Sequence, residues 1–142
     1  MNFEKLYEDS QLPVIKTKFS AGLDLYSHQD IEIQPSETVV VGLGVRSIFT
    51  EPELRAGNNK CFILELRSSM RAKGLTSLGT GIIDMDYQGE WLQVVCNLSK
   101  EPYTVKKGSR IAQAVMISHM TGTLDKYNTF EARVGGFGST GE

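Results

Sequence analysis

The sequence predicts an all-β fold of the sandwich or barrel kind, and three observations carry that reading. Short apolar stretches recur along the chain, at residues 31–33, 38–45, 61–66, 91–98 and 111–117. They are rich in Val, Ile and Leu and too short for helices of ordinary length. Between them stand Gly, Pro, Asn or Lys-Gly, residues that turn a chain between strands.

Taken in chain order, Ile31-Glu32-Ile33 alternates as a half-buried strand does, and 38–45 is a longer apolar run. Residues 52–56 have Glu51 and Glu53 near their start and read equally as a short helix or a loop. After the strand at 61–66, Ser68 or Ser69 can cap a brief helix over Met70 to Lys73, which Gly74 can close in the left-handed conformation. This is the one short helix the sequence predicts. Residues 81–90 read as a hairpin, with an apolar arm, an Asp-rich tip and Gly89 before the strand from Trp91. A Lys-Lys-Gly turn leads into the last strand at 111–117, and Gly135, Gly136, Gly138 and Gly141 make the end of the chain poor in core-forming residues.

Composition narrows the class. A chain of 142 residues with a net charge of −2 suits one domain over 1–142, large enough to need no disulfide staple. Cys61 and Cys96 sit in apolar runs without a Cys-x-x-Cys neighbour, which argues against a zinc site and for a reducing compartment. The apolar runs are too short for a membrane span, the charged N-terminus is unlike a secretory signal, and balanced charge argues against a duplex nucleic-acid binder. A cytoplasmic protein is expected, or a nuclear one if the source is eukaryotic or viral.

Three segments carry polar residues that solvation alone does not explain. Arg67-Ser68-Ser69 gathers a guanidinium, two hydroxyls and helix-start amides, a set that suits an anion. Asp84 follows two branched apolar residues, where a partly buried carboxylate can serve as a general base. Gly136 to Gly141 satisfies G-x-G-x-x-G, yet no strand precedes it closely and the chain ends where a helix should begin, so it is not a dinucleotide fingerprint. Phe137 beside Ser139 and Thr140 nevertheless combines a stacking surface with phosphate-binding hydroxyls. The segment 108–113, with Arg110 and Gln113, is by itself a turn and a strand. His28 and His119 lack an evident partner in sequence, and Cys61, Cys96 and Trp91 read as core or interface.

Taken together, these segments resemble the five motifs of the trimeric dUTPase family. Ala21-Gly22-Leu23-Asp24-Leu25-Tyr26-Ser27 resembles the first, Arg67-Ser68-Ser69-Met70 through Gly74 the second, and Gly81 through Glu90 the third. Gly108 through Gln113 resembles the fourth and Gly135 through Gly141 the fifth. The resemblance implies a jelly-roll-like β domain with a flexible C-terminal arm at about 128–142, assembled as a homotrimer with shared active sites. It implies hydrolysis of dUTP to dUMP and pyrophosphate with Mg²⁺, which limits uracil incorporation into DNA and supplies dUMP for thymidylate synthesis.

By the same resemblance Asp84 is the base that activates the attacking water, and backbone groups around Gly81 and the strand from Trp91 read uracil. Tyr87 packs against deoxyribose and Phe137 stacks on the base. Arg67, Ser68, Ser69 and Gln113 hold the triphosphate, together with Gly138, Ser139 and Thr140 of the arm. Asp24 is a partner for the waters of Mg²⁺. Three positions depart from the family pattern: Leu66 replaces a usual Pro, Gln88 a common Arg, and the arm's Arg position falls on Ala132 with Arg133 displaced by one. Arg133 is expected to reach the phosphates through a shift of the Gly-rich arm. Two alternatives stand beside this reading. One is a dUTPase-like regulatory or binding protein without turnover. The other, a dCTP deaminase relative, is disfavoured because Val94 and Ala72 stand where those enzymes need a carboxylate and an Arg.

Overall fold

The computed structural model describes residues 1–56, 59–120 and 137. Its strands are β1 (Asn2–Lys5), β2 (Leu23–Tyr26), β3 (Ile31–Ile33), β4 (Thr38–Gly42), β5 (Val45–Ile48), β6 (Lys60–Leu66), β7 (Leu75–Thr76), β8 (Gly81–Asp84), β9 (Leu92–Asn97), β10 (Tyr103–Val105) and β11 (Arg110–Ser118). Two short helices interrupt them, α1 (Glu51–Ala56) and α2 (Ser68–Arg71). The all-β expectation therefore holds, with one helix more than predicted. Helix α1 forms because Thr50 caps it: the Glu53 carboxylate accepts from the Thr50 N–H at 2.8 Å, a reach back that satisfies an otherwise open donor.

Strand order is β2-β11-β6-β8 in a four-stranded sheet and β4-β9-β7 in a three-stranded one, with the pairs β1-β5 and β3-β10 beside them. Alternation along β6 and β11 decides which face each side chain takes. Leu64 and Leu66 stand opposite Ala114 and Ala112, and Leu25 opposite Ala112; all five are buried, so this row faces the core. The intervening row, Asp24 opposite Gln113 and Gln113 opposite Glu65, must face the other way.

The core joins both larger sheets through Val41 and Val95 on one side and Phe62 and Leu64 on the other. Trp91 fills its centre with no exposed surface, ring centroids 5.0 Å from both Phe3 and Phe62 in edge-on geometry. Its indole N–H donates to Ser47 Oγ at 3.3 Å, which satisfies the one polar atom that burial would otherwise strand.

Two expectations change. The run 38–45 breaks at Leu43-Gly44 into β4 and β5, because residues 43–45 clamp the chain around Trp91: Leu43 N–H donates to Trp91 C=O and Trp91 N–H to Val45 C=O. The segment 81–90 is not a hairpin. Its first arm, β8, pairs with β6 and the following strand, β9, pairs with β4 and β7, so the chain crosses from one sheet to the other between them. Local turn residues look alike in both cases, and only the partner strands distinguish them.

Removal of the Trp91 side chain leaves a cavity at the meeting point of both sheets. Trp91→Ala is expected to lower unfolding free energy by about 3–5 kcal/mol, read as a shifted midpoint in urea.

Candidate active site

Strand β6 ends at Leu66, and Arg67 then holds an extended backbone, φ −62° and ψ 148°, with its N–H donated to Ile111 C=O. Arg67 itself takes the cap position of α2, and no side chain caps the helix. Neither Ser68 nor Ser69 is the cap, contrary to expectation; both lie inside the first turn and are exposed, so their hydroxyls remain available. Gly74 does follow in the left-handed conformation, at φ +84°.

A cleft of about 350 Å³ opens here, lined by Lys16, Gly22, Asp24, Arg67, Arg110 and Gln113 among others, with Ser68 at its edge. Asp24 organises it. One carboxylate oxygen lies 3.3 Å from Arg67 Nε and the other accepts from Arg110 Nη1 at 2.8 Å, with only 13% of the Asp24 side chain exposed. Two guanidiniums share one carboxylate, so the cluster keeps a net positive charge, and Lys16 adds to it. Beside it Glu65 accepts from Thr80 Oγ1 at 2.6 Å and pairs with Arg71, which neutralises that arginine. The charge left over for an anion is thus on Arg67, Arg110 and Lys16.

Arg110 reaches Asp24 because of an irregularity. Arg110 stands opposite Tyr26 and Ala112 opposite Leu25, so β11 spends two residues where β2 spends one. This bulge buries Ile111 and Ala112 in succession and turns Arg110 onto the outer face with Asp24. In sequence Arg110 is only part of a turn and strand; a bulge depends on pairing and leaves no local signature. Lys16 and Glu65 carry no sequence signal either, since each joins the cluster through long-range pairing.

The second cavity, about 280 Å³, lies at the other end of the sheet and is lined by Thr80, Gly81, Ile83, Tyr87, Glu90, Leu92 and Phe137 among others. Strand β8 is the edge of its sheet, so among the described residues one side of its backbone pairs with no strand. Gly81 lets it lie close to β6: a Cβ there would stand 3.2 Å from Leu64 C=O and 3.3 Å from Leu64 Cβ. Asp84 ends β8 opposite Cys61, on the outer face. The chain then turns sharply, with Tyr87 N–H donated to Asp84 C=O at 3.1 Å, which carries the nearly buried Tyr87 ring against the cavity. Burial, and secondarily the Asp84 charge, pushes the Cys61 thiol up, so it stays protonated beside that carboxylate.

The structure brings Asp24, Arg67, Ser68 and Gln113 to one cleft, with Ser69 in the adjoining helical turn, and Gly81, Tyr87 and Phe137 to the other, with Asp84 next to it. It does not bring the two sets together within one chain. Asp24 and Asp84 are separated by three strand spacings, roughly 14 Å across the sheet, with a further offset along it. Arg133, Gly138, Ser139 and Thr140 lie outside the described residues. Among the described residues no group of three His, Cys, Asp or Glu could hold a metal ion, and no helix is long and apolar enough to cross a membrane. His28, isolated in sequence, is stacked on Tyr7 with ring centroids 3.8 Å apart, a contact made by the chain's return.

Comparison with known proteins gives the same family by sequence and by shape. The dUTPase family model matches residues 8–141. The deoxyuridine 5'-triphosphate nucleotidohydrolase of Nautilia profundicola is 35% identical over 147 aligned positions, covering 100% of this chain and 99% of the relative. The dUTPase structure from Streptococcus mutans has a TM-score of 0.70 at 26% identity, covering 84% of this chain and 97% of that one. A mutant dUTPase from phage phi11 of S. aureus, a structure that reveals coordination of a structural Mg(II) ion, has a TM-score of 0.73 at 21% identity, with coverage of 97% and 98%.

Asp24 is the counter-charge that holds two guanidiniums side by side. Asp24→Ala is expected to destabilise the fold by about 1–3 kcal/mol in chemical denaturation; an unchanged midpoint would show that the bridge does not hold the cleft.

Proposed function

The chain belongs to the dUTPase family, and from that premise we propose how its residues divide the work of hydrolysing dUTP. It is an enzyme, a dUTP nucleotide hydrolase. The observation that carries the detailed reading is the open edge of β8 beside a cavity walled by Gly81, Tyr87 and Phe137.

Uracil lies along that edge, where backbone N–H and C=O groups meet its pairing face. Cytosine presents the reversed donor and acceptor pattern and would leave those groups unpaired, a mismatch that discriminates strongly. Phe137 stacks on the base and Tyr87 packs against deoxyribose, leaving no room for a 2′-hydroxyl. Asp84 takes a proton from the water that attacks the α-phosphorus in line; the new P–O bond forms as pyrophosphate leaves, and dUMP remains. The triphosphate lies in the cationic cleft against Arg67, Ser68, Ser69 and Gln113. Arg133, Gly138, Ser139 and Thr140 of the C-terminal arm close over it.

The donors of the cleft, guanidiniums, a hydroxyl and an amide, fit Mg²⁺ that is carried by the triphosphate with its own waters, a preference of this ion. Asp24, with both oxygens engaged by arginines, is left a role through those waters. When bound, the ion neutralises charge on the phosphate oxygens. A free-nucleotide substrate and two buried, unpaired thiols accord with a cytoplasmic enzyme.

The two half-sites support a homotrimer, in which the cleft of one copy faces the β8 edge of another. Apolar side chains on the outer face between them fit such burial: Ile82 is 61% exposed, Ile117 38%, and Ile63 and Val115 are half-buried in the same rows.

Asp84→Asn is expected to retain dUTP binding and lose about 10²- to 10⁴-fold in turnover, with pyrophosphate release compared across dUTP, dCTP, dTTP and UTP. No release from dUTP by the unaltered enzyme would reject the reading. Arg67→Ala and Asp84→Asn, each inactive alone, should recover activity when unfolded and refolded together, because mixed trimers contain some sites with both residues intact. Failure of the refolded mixture to gain activity would argue against sharing.

A further inference from the structure

Glu90 is a cavity-wall residue that the mechanism above leaves without a task. Its carboxylate accepts from Gly44 N–H at 2.8 Å and occupies the space that a side chain on Gly42 would need: a Cβ there would lie 2.7 Å from the same oxygen. Its carbonyl accepts from the Tyr87 hydroxyl at 3.0 Å. One residue thus holds both ends of a connection, with its side chain fixed to the β4–β5 junction and its backbone fixed to the tip of the Tyr87 ring. The adjoining bonds between Trp91 and residues 43 and 45 make that junction rigid.

The position of the Tyr87 ring therefore depends on where the Glu90 carbonyl stands, and that in turn on the Glu90 carboxylate. We infer that Glu90 is a positioning residue that holds Tyr87 against the sugar and so sets discrimination between deoxyribose and ribose. The inference rests on Tyr87 as the sugar wall. A ring free to tilt by a fraction of an ångström makes room for a 2′-hydroxyl, whereas a ring anchored at its hydroxyl does not.

The test compares kcat/KM for dUTP with that for UTP. Glu90→Ala should lower the dUTP preference by about five- to tenfold, the size of one lost hydrogen bond, chiefly through improved use of UTP. Glu90→Asp, which keeps the charge but is one methylene short of Gly44, should behave alike and serves if the Ala variant does not fold. Glu90→Gln keeps an acceptor for Gly44 N–H and should restore most of the preference. Tyr87→Phe should give a similar drop, and combining it with Glu90→Ala should add little, because both cut the same link.

A lowered melting temperature with an unchanged dUTP preference in Glu90→Ala or Glu90→Asp would overturn the inference, as would additive effects in the double variant. An unchanged preference in Tyr87→Phe would also overturn it. Loss of preference in Tyr87→Phe but not in the Glu90 variants would reject the role of Glu90 and leave Tyr87 as the sugar wall. An unaltered enzyme that releases pyrophosphate from UTP as readily as from dUTP would instead reject the sugar wall itself.

Discussion

The double pairing of β11 is the constraint on which the rest depends. It lies between β2 and β6, and its alternation assigns every neighbouring side chain to the core or to the outer face. Ala112 and Ala114 point inward and are small, so Leu25, Leu64 and Leu66 can close over them. Gln113 points outward between Asp24 and Glu65. A slip of β11 by one residue would bury Gln113 and turn Ala112 and Ala114 outward, leaving Leu25, Leu64 and Leu66 without the small residues they close over. The register of the cationic cleft is thus held by the hydrophobic core beneath it.

Electrostatics within that outward row are unevenly balanced. Glu65 satisfies Arg71 and the hydroxyl of Thr80, whereas Asp24 alone faces both Arg67 and Arg110. An anion entering the cleft would complete a charge balance that the protein leaves open. The bulge in β11 is what makes this so, because without it Arg110 would point toward the core and Asp24 would have one partner.

The cavity at β8 follows a different logic. An unpaired edge is ordinarily a liability, open to association with any other strand. Here the edge opens onto a cavity that Tyr87, placed by the turn after β8, and Phe137 help to line. Tyr87 and Glu90 belong to the crossing between sheets, so the path that breaks the expected hairpin is also the one that builds the cavity wall.

Much of the fold and site was legible without tertiary structure, and the exceptions share a cause. Apolar runs bounded by turn residues located β3, β6, β9 and β11, because strand patterning is a local property. Arg67-Ser68-Ser69, Asp84, Tyr87 and Gln113 stood out because their chemistry is written in adjacent residues and in the order of motifs. Helix α1 stayed open between two readings, since a single turn is stabilised by one cap and little else. The supposed hairpin at 81–90, the bulge that aims Arg110, and the double hold of Glu90 were not legible, for each depends on which distant strand becomes a neighbour. The sequence by itself determined the residue types, the strand class of the main apolar runs and the family's chemistry. Only the tertiary structure decided that the cationic cleft and the β8 cavity open at different ends of one sheet, because strand pairing is chosen by the burial of the whole core and not by any one segment.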